Sequence, residues 1–399
     1  MDPARQTSAG DASFGLVADR IFDGHRWHKH AAVMVDRGMV LGITSTADVP
    51  DDWSRRTMQP GAMLAPGFID LQVNGGGRVL LNDEPTPDGM RAIATAHRRF
   101  GTTACLPTLI TDTREKAAAA IAAAKHAAGH DGILGLHLEG PFISPARPGI
   151  HPPARIASAG PSDLDWLCEI ASCASSLVTL APECVPAGFV DALTRAGTRV
   201  AAGHTEACAV VMNRAVEDGL SGVTHLHNAM PSMQAREPGV VGVALSDPRI
   251  FASLIVDGIH VDTAVVRATF AAKGADRVAL ITDAMPTVGT TVDEFQLFDR
   301  TIRLRDGRLT SDSGTLAGAH LDMASAVRIA VQNAAVPIDD ALRSASLTPA
   351  RFLGIADQRG TLSAGSRADI VALDSAFEVL DTWIGGVSSE DDASREAPR

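Results

Sequence analysis

Glu139 ends the apolar stretch GILGLHLEGP, and His204, His225 and His227 close two later stretches of the same kind, TRVAAGHT and GVTHLHN. Carboxylate and imidazole are ligands for a borderline divalent cation, and catalytic zinc sites typically use three protein ligands and keep a position open for water. Glu139, His204 and His225 supply that set. Strand alternation decides little between His225 and His227, because residues i and i+2 share one face. Asp283, in RVALITDAMP, is placed to take a proton from an activated water and pass it to a leaving nitrogen. The bland alternative is an Asp that caps the following helix. Gln72 and Asn74, in PGFIDLQVNGGG, form another i, i+2 pair. Neutral amides are poor zinc ligands beside imidazole, so this pair is expected to orient water or an amide group.

These residues are useful only if one framework brings them together. Eight apolar runs alternate with helical patterns: AMLAPGFIDLQV, TTACLPTLI, GILGLHLEG, SLVTLAPE, TRVAAGHT, GVTHLHN, FASLIVDG and RVALITDA. Segments such as TREKAAAAIAAAKHAAG and SDLDWLCEIASCA fill the gaps at helix length. The count predicts a (β/α)8 TIM barrel, whose active site lies at the C-terminal ends of the strands. A doubly wound sheet is the alternative, but no GxGxxG recommends it. From Phe14 to Met63, and again from Gly360, the texture is one of short strands broken by turns. The expected division is residues 1–63 and 357–399 as two parts of a small β-sandwich domain, with the catalytic barrel over 64–356. Residues 1–13 and the closing SSEDDASREAPR are polar and expected to be disordered.

The formal net charge of -12 argues against broad binding to nucleic acid or anionic membranes. No apolar run approaches the ~20 residues of a membrane helix, and the start lacks the apolar core of a signal peptide, so a cytoplasmic protein is expected. Cys105, Cys168, Cys173, Cys184 and Cys208 are odd in number and contain no CxxC, which predicts buried free thiols without an assigned role. An anionic substrate would need a local cluster of Arg or His.

The stretches HLEGP, AGHT, TH-x-x-NAM, REPG and DGxHVD occur in this order, within matches that run almost the whole length. On them the sequence resembles the amidohydrolase superfamily, and within it the N-acetylglucosamine-6-phosphate deacetylase family. The resemblance implies a metal-dependent barrel with a small β-sandwich, acting as a homodimer on a phosphorylated amino sugar. It implies one divalent metal ion per subunit, zinc first, with iron(II), manganese and cobalt as alternatives. The family's ligands fall on Glu139, His204 and His225, and its acid/base on Asp283. Many superfamily members carry H-x-H where Gln72-Val73-Asn74 stands, as in the one-metal deacetylase subgroup. His151 is implied to polarise the acetamide carbonyl. Arg236 and His260 are implied to serve the phosphate, with Asn228, Ala229 and Leu316 in further substrate contacts, some across a dimer interface. His137, Glu183 and His227 stay unassigned. The rival readings are another amidohydrolase, acting on a different N-acyl sugar or a cyclic amide, and a catalytically inactive scaffold.

Overall fold

Strands covered on both faces have no solvated side and therefore read as unbroken apolar runs. Phe68–Val73 and Thr102–Ile110 are buried at every position. The computed structural model describes residues 13–160 and 162–390. The chain opens with β1 (Phe14–Phe22), β2 (Trp27–Asp36), β3 (Met39–Ser45), β4 (Ser54–Thr57) and β5 (Met63–Pro66). Next come β6 (Phe68–Val73), a short hairpin of β7 (Gly75–Gly76) and β8 (Val79–Leu80), and β9 (Thr102–Ile110). The series continues through β10 (Gly135–Glu139), β11 (Ser175–Leu180), β12 (Arg199–Ala202), β13 (Gly222–Val223), β14 (Phe251–Ile255) and β15 (Val278–Ile281). After β15 follow β16 (Glu294–Leu297), β17 (Arg300–Arg305) and β18 (Arg308–Ser311), then β19 (Ile370–Leu373), β20 (Val379–Ile384) and β21 (Val387–Ser388).

β6 and β9 to β15 lie side by side in chain order, each parallel to the next. This is the predicted barrel, with helices such as Pro87–Arg98, Arg114–Ala127 and Thr263–Lys273 between its strands. β15 and β6, the last and first strands, meet through the single bridge Val73↔Ala284 rather than a ladder.

The second sheet runs β21-β20-β19-β5-β1-β2-β3, so both ends of the chain build the small β-sandwich. It forks at β1, which pairs with β4 along Phe14–Val17 and with β5 at Arg20 and Ile21. Its own core includes Leu16, Ile21, Val33, Leu64, Ile370 and Trp383. The run AMLAPGFIDLQV, read above as one barrel strand, is divided between the two sheets. β5 pairs with β1 and β19, and β6 starts the barrel only after Gly67, whose N–H donates to Asp369 O at 2.9 Å.

Residues 1–12 and 391–399, which make up most of the stretches expected to be disordered, lie outside the described residues. The expectation fails at their inner margins. Ser13 Oγ donates to Asp36 Oδ1 at 2.6 Å, Ser388 belongs to β21, and Ser389 N donates to Asp381 Oδ1 at 3.1 Å. Ser13 and Ser389 are held there by hydrogen bonds to partly buried carboxylates, and Ser388 is buried in the sheet.

The antiparallel sheet β16-β17-β18 was not anticipated, although Asp306-Gly307 between IRLR and RLT is a hairpin signal. Its Leu297, Ile302 and Leu309 share an apolar cluster with Ile110, Ile150 and Met285. Among the described residues no helix is long and apolar enough to cross a membrane.

Gly67 joins the two sheets where there is no room for a side chain. A Cβ there would fall 2.2 Å from Thr103 Cγ2 and Oγ1. Gly67→Ala is expected to lose about 1–3 kcal/mol of stability through overpacking, seen as a lower urea midpoint. An unchanged midpoint would show that the junction yields at no cost.

Candidate active site

His204, His225 and Asp283 each stand two residues beyond the end of their strands, β12, β13 and β15, and Glu139 is the last residue of β10. The first three have positive φ, 48°, 35° and 51°. Left-handed backbone is uncommon for residues other than glycine and costs roughly 1–3 kcal/mol each, so the surroundings must impose it. Hydrogen bonds do so here. Ser144 N donates to His204 O at 2.7 Å, His225 N to Ser253 Oγ at 2.9 Å, and Asp283 N to Gln72 O at 3.0 Å. The chain thus turns sharply at three strand ends, and the side chains converge.

Glu139 Oε1 is 3.2 Å from His204 Nε2 and 3.0 Å from His225 Nε2, and the two ring nitrogens are 3.1 Å apart. His204 Nδ1 lies 2.9 Å from Arg147 O, which can only accept, so Nδ1 carries a hydrogen and the tautomer this selects has its lone pair on Nε2. His225 Nδ1 is buried with no hydrogen-bond partner among the described residues. A carboxylate oxygen and two imidazole nitrogens thus converge on one point, slightly closer than the roughly 3.3–3.6 Å at which tetrahedral bonds of about 2.0–2.2 Å would space them around a divalent cation. Glu139, His151 and His204 also present ligand atoms within 4.8 Å of one another. The His225 set is the tighter of the two. His151 Nε2 instead faces the other oxygen, Glu139 Oε2, at 3.7 Å, while its Nδ1 is 2.7 Å from Thr111 Oγ1.

The charges follow from burial and neighbours. Burial opposes ionisation of Glu139, yet His151, His204 and His225 around it hold its carboxyl well below the usual range. Burial pushes His151 down to about 4, helped by His204. Asp283 is pushed up to about 6 by burial and by the charge on Glu139. Gln72 Nε2 and Asn74 Nδ2 donate to the same atom, Asp283 Oδ1, at 2.9 and 2.6 Å, and neither engages Oδ2. Gln72 Oε1 and Asn74 Oδ1 are left as buried acceptors without a partner among the described residues. A water or an amide N–H would satisfy them, but of the two only Asn74 lines the cavity over the site, and Gln72 lies among barrel-interior residues.

A cavity of about 540 Å³ opens over this group, and Asn74, Glu139, His151, His204, His225 and Asp283 all line it. Asn228, Ala229, His260 and Leu316 line it too, and His260 Nδ1 is 2.6 Å from Asp257 Oδ2. Asn228 Nδ2 is a buried donor with no partner among the described residues. Arg236 is exposed, outside this lining, and has no hydrogen bond or ion pair among the described residues. A single copy of the chain therefore does not bring it to the cavity.

His225 and His227 lie beyond β13, not on it, and the positive φ of both, 35° and 80°, breaks strand alternation. His225 faces Glu139, whereas His227 Nε2 is 2.9 Å from Thr269 Oγ1 on the neighbouring helix. His137 sits inside the barrel between Thr108 and Thr179. Glu183 accepts from Thr205 Oγ1 and Glu206 N, both at 2.6 Å, and so shapes the turn that carries His204. All five cysteines are free, two of them buried and three partly so. Sequence reasoning passed over Arg147, whose carbonyl fixes the His204 ring and whose side chain lines the cavity and pairs with Glu206. It also passed over Thr315 on the connection after β18.

The chain is similar over most of its length to proteins already known. An N-acetylgalactosamine-6-phosphate deacetylase of Shewanella sp. (strain ANA-3) is 39% identical over 384 residues, covering 94% of this chain and 96% of that protein. An N-acetylglucosamine-6-phosphate deacetylase of Haemophilus influenzae is 31% identical over 378 residues, covering 94% and 98%. The crystal structure of N-acetylglucosamine-6-phosphate deacetylase from Pasteurella multocida superposes with a TM-score of 0.90 at 33% identity, covering 94% of this chain and 99% of that one. The model of the amidohydrolase family matches residues 63–388, which span the whole barrel and the returning strands of the small sheet, and the chain belongs to that family.

Proposed function

We propose that this protein hydrolyses the acetamide of N-acetyl-D-glucosamine 6-phosphate to D-glucosamine 6-phosphate and acetate. The observation that carries the reading is the buried triangle of Glu139, His204 and His225 with Asp283 in the same cavity. Relatives named for this activity, over nearly the full length, support it.

Glu139, His204 and His225 would hold one divalent cation, zinc by the borderline character of the donor set. Such an ion supplies Lewis-acid chemistry, lowering the pKa of water and polarising the carbonyl. Asp283 takes the proton of the attacking water and returns it to the leaving nitrogen, since collapse of the tetrahedral intermediate needs a protonated amine. With both amides on Oδ1, Oδ2 is the oxygen that moves the proton. His151 steadies the developing oxyanion. To donate through Nε2 its Nδ1 must accept, and Thr111 meets that need by turning its hydroxyl hydrogen from Glu139 O, at 3.3 Å, to Nδ1, at 2.7 Å.

His260, Asn228 and Ala229 receive the phosphate end, and Leu316 covers the sugar. Arg236 joins the phosphate from the second copy in a homodimer, where its forked donors suit three phosphate oxygens. The reaction belongs to the cytoplasm. The second reading is the galacto epimer as substrate, which the 39% identity to a deacetylase named for that sugar favours.

Acetate release from both epimeric 6-phosphates, and from unphosphorylated N-acetylglucosamine, is expected to require zinc in chelator-stripped protein and to be strongest on the gluco 6-phosphate. A preference for the galacto epimer would transfer the assignment to the second reading, and indifference to phosphate would remove His260 and Arg236 from it. Asp283→Asn should keep stoichiometric metal while turnover falls by about 10²–10⁴-fold; near-normal turnover would exclude Asp283 as the base. Gly149 has φ +54°, and a Cβ on it would lie 3.1 Å from His204 Cε1. Gly149→Ala should therefore weaken zinc retention about tenfold in a chelator competition, by displacing a ligand's support.

A further inference from the structure

Asp70 is wholly buried, lines no part of the catalytic cavity, and has no task in the reaction described above. It lies on β6, two residues before Gln72. Its Oδ1 accepts from Gln72 N at 3.1 Å and from Thr282 N at 3.2 Å, and its Oδ2 accepts from Thr282 Oγ1 at 2.5 Å. Gln72 donates to Asp283, and Thr282 is the residue before Asp283. One carboxylate therefore grips both the strand that bears the amides and the turn that bears the acid.

The grip falls at the weakest place in the barrel. β6 and β15 have no ladder between them. Two backbone bonds cross at the upper rim, Asp283 N to Gln72 O at 3.0 Å and Gly75 N to Ala284 O at 2.9 Å. Immediately below, the Thr282 amide donates to Asp70 instead of to a strand carbonyl, so a side chain stands where main-chain pairing stops. Burying a carboxylate is costly, and burial together with the nearby Asp283 pushes the Asp70 carboxyl up to about 7. Stability alone is a poor reason to keep two acids this close.

We propose that Asp70 is a positioning residue for Asp283: its carboxylate clamps Thr282 and Gln72 across the barrel seam and fixes the direction in which Asp283 presents Oδ2. The inference rests on the reading of Asp283 as the proton-transferring group. A misplaced base loses rate with little effect on substrate binding, because only the transition state needs the proton transfer in line. The metal ligands stand on β10 and beyond β12 and β13, away from the seam, and are untouched by the clamp.

The test is a double-mutant cycle with hydrogen exchange measured on the same proteins. Asp70→Ala should lower kcat at least about tenfold with KM and bound zinc nearly unchanged, and Asp70→Asn, which keeps the acceptor for the two amides, should recover part of that loss. In an Asp283→Asn background, Asp70→Ala should change the residual turnover less than about twofold, since the group it positions is gone. Exchange should quicken in the peptide spanning 278–285 of Asp70→Ala and stay unchanged over 135–140 and 199–204. An equal fractional loss of turnover in both backgrounds, or loss of zinc in parallel with activity, would overturn the proposal in favour of a merely structural acid. If the parent protein turns over neither epimer, the assigned reaction fails by itself, and exchange decides the clamp: unaltered protection at 278–285 sinks it, and selective loss there upholds it. Should Asp70→Ala fail to fold, the Asn variant carries the same cycle and the same exchange measurement, with a smaller expected loss.

Discussion

Three imidazoles around one buried carboxylate cannot rest without a cation or a proton among them, and the top of the barrel is arranged around that demand. Glu139 is ionised in spite of its burial because His151, His204 and His225 surround it. The Nδ1–H of His204 is committed to the Arg147 carbonyl, so its Nε2 lone pair is aimed at the His225 nitrogen 3.1 Å away. Two such nitrogens repel unless something positive lies between them. The fold sets these polar atoms in place in advance, converging where a cation or a shared proton would sit.

That setting in place uses strained turns. His204, His225 and Asp283 leave their strands through left-handed backbone, and each turn is held by a bond from another element, namely the loop after β10, β14 and β6. The loop after β10 is tied twice to His204, through Ser144 N and through the Arg147 carbonyl, and the same loop carries His151. The side chain assigned to the substrate carbonyl and the side chain assigned to the metal thus belong to one mechanical unit. β16-β17-β18 reinforces it from outside, since Ile150 packs into the cluster that includes Leu297, Ile302 and Leu309.

The barrel was legible because most of its strand residues are buried, which leaves largely apolar runs, three of them closed by a polar residue of the candidate site. Glu139, His204 and Asp283 are visible for that reason. The choice between His225 and His227 was not, because alternation holds only while the backbone stays extended, and both residues lie in left-handed turns beyond the two-residue strand β13. The double duty of AMLAPGFIDLQV was hidden for a related reason: two strands joined by Pro66-Gly67 look like one when both are wholly buried. Arg147 escaped because its main-chain carbonyl does part of the work, and a carbonyl leaves no mark on residue type. Arg236 stands outside the cavity because its loop leaves it exposed, and the course of a loop is not encoded in periodicity or composition.

The division between strand ends and loops also explains how deacetylases named for two epimeric sugars share so much sequence with this chain. The acetamide sits on C2 of the sugar and the phosphate on C6, and both are common to the epimers, which differ only in the direction of one hydroxyl on C4. In the proposed reading Glu139, His204, His225 and Asp283 serve the acetamide end and have no reason to vary with that hydroxyl. On that reading discrimination would fall to what faces the ring, and the cavity lining that comes from connections includes Thr315 and Leu316 after β18 and Arg147 on the loop after β10. A site that rewards a hydroxyl by hydrogen bonding rejects its absence strongly, whereas an apolar wall such as Leu316 discriminates weakly. On the proposed reading, sugar preference would therefore rest with a few polar loop atoms, and the reaction itself with the barrel.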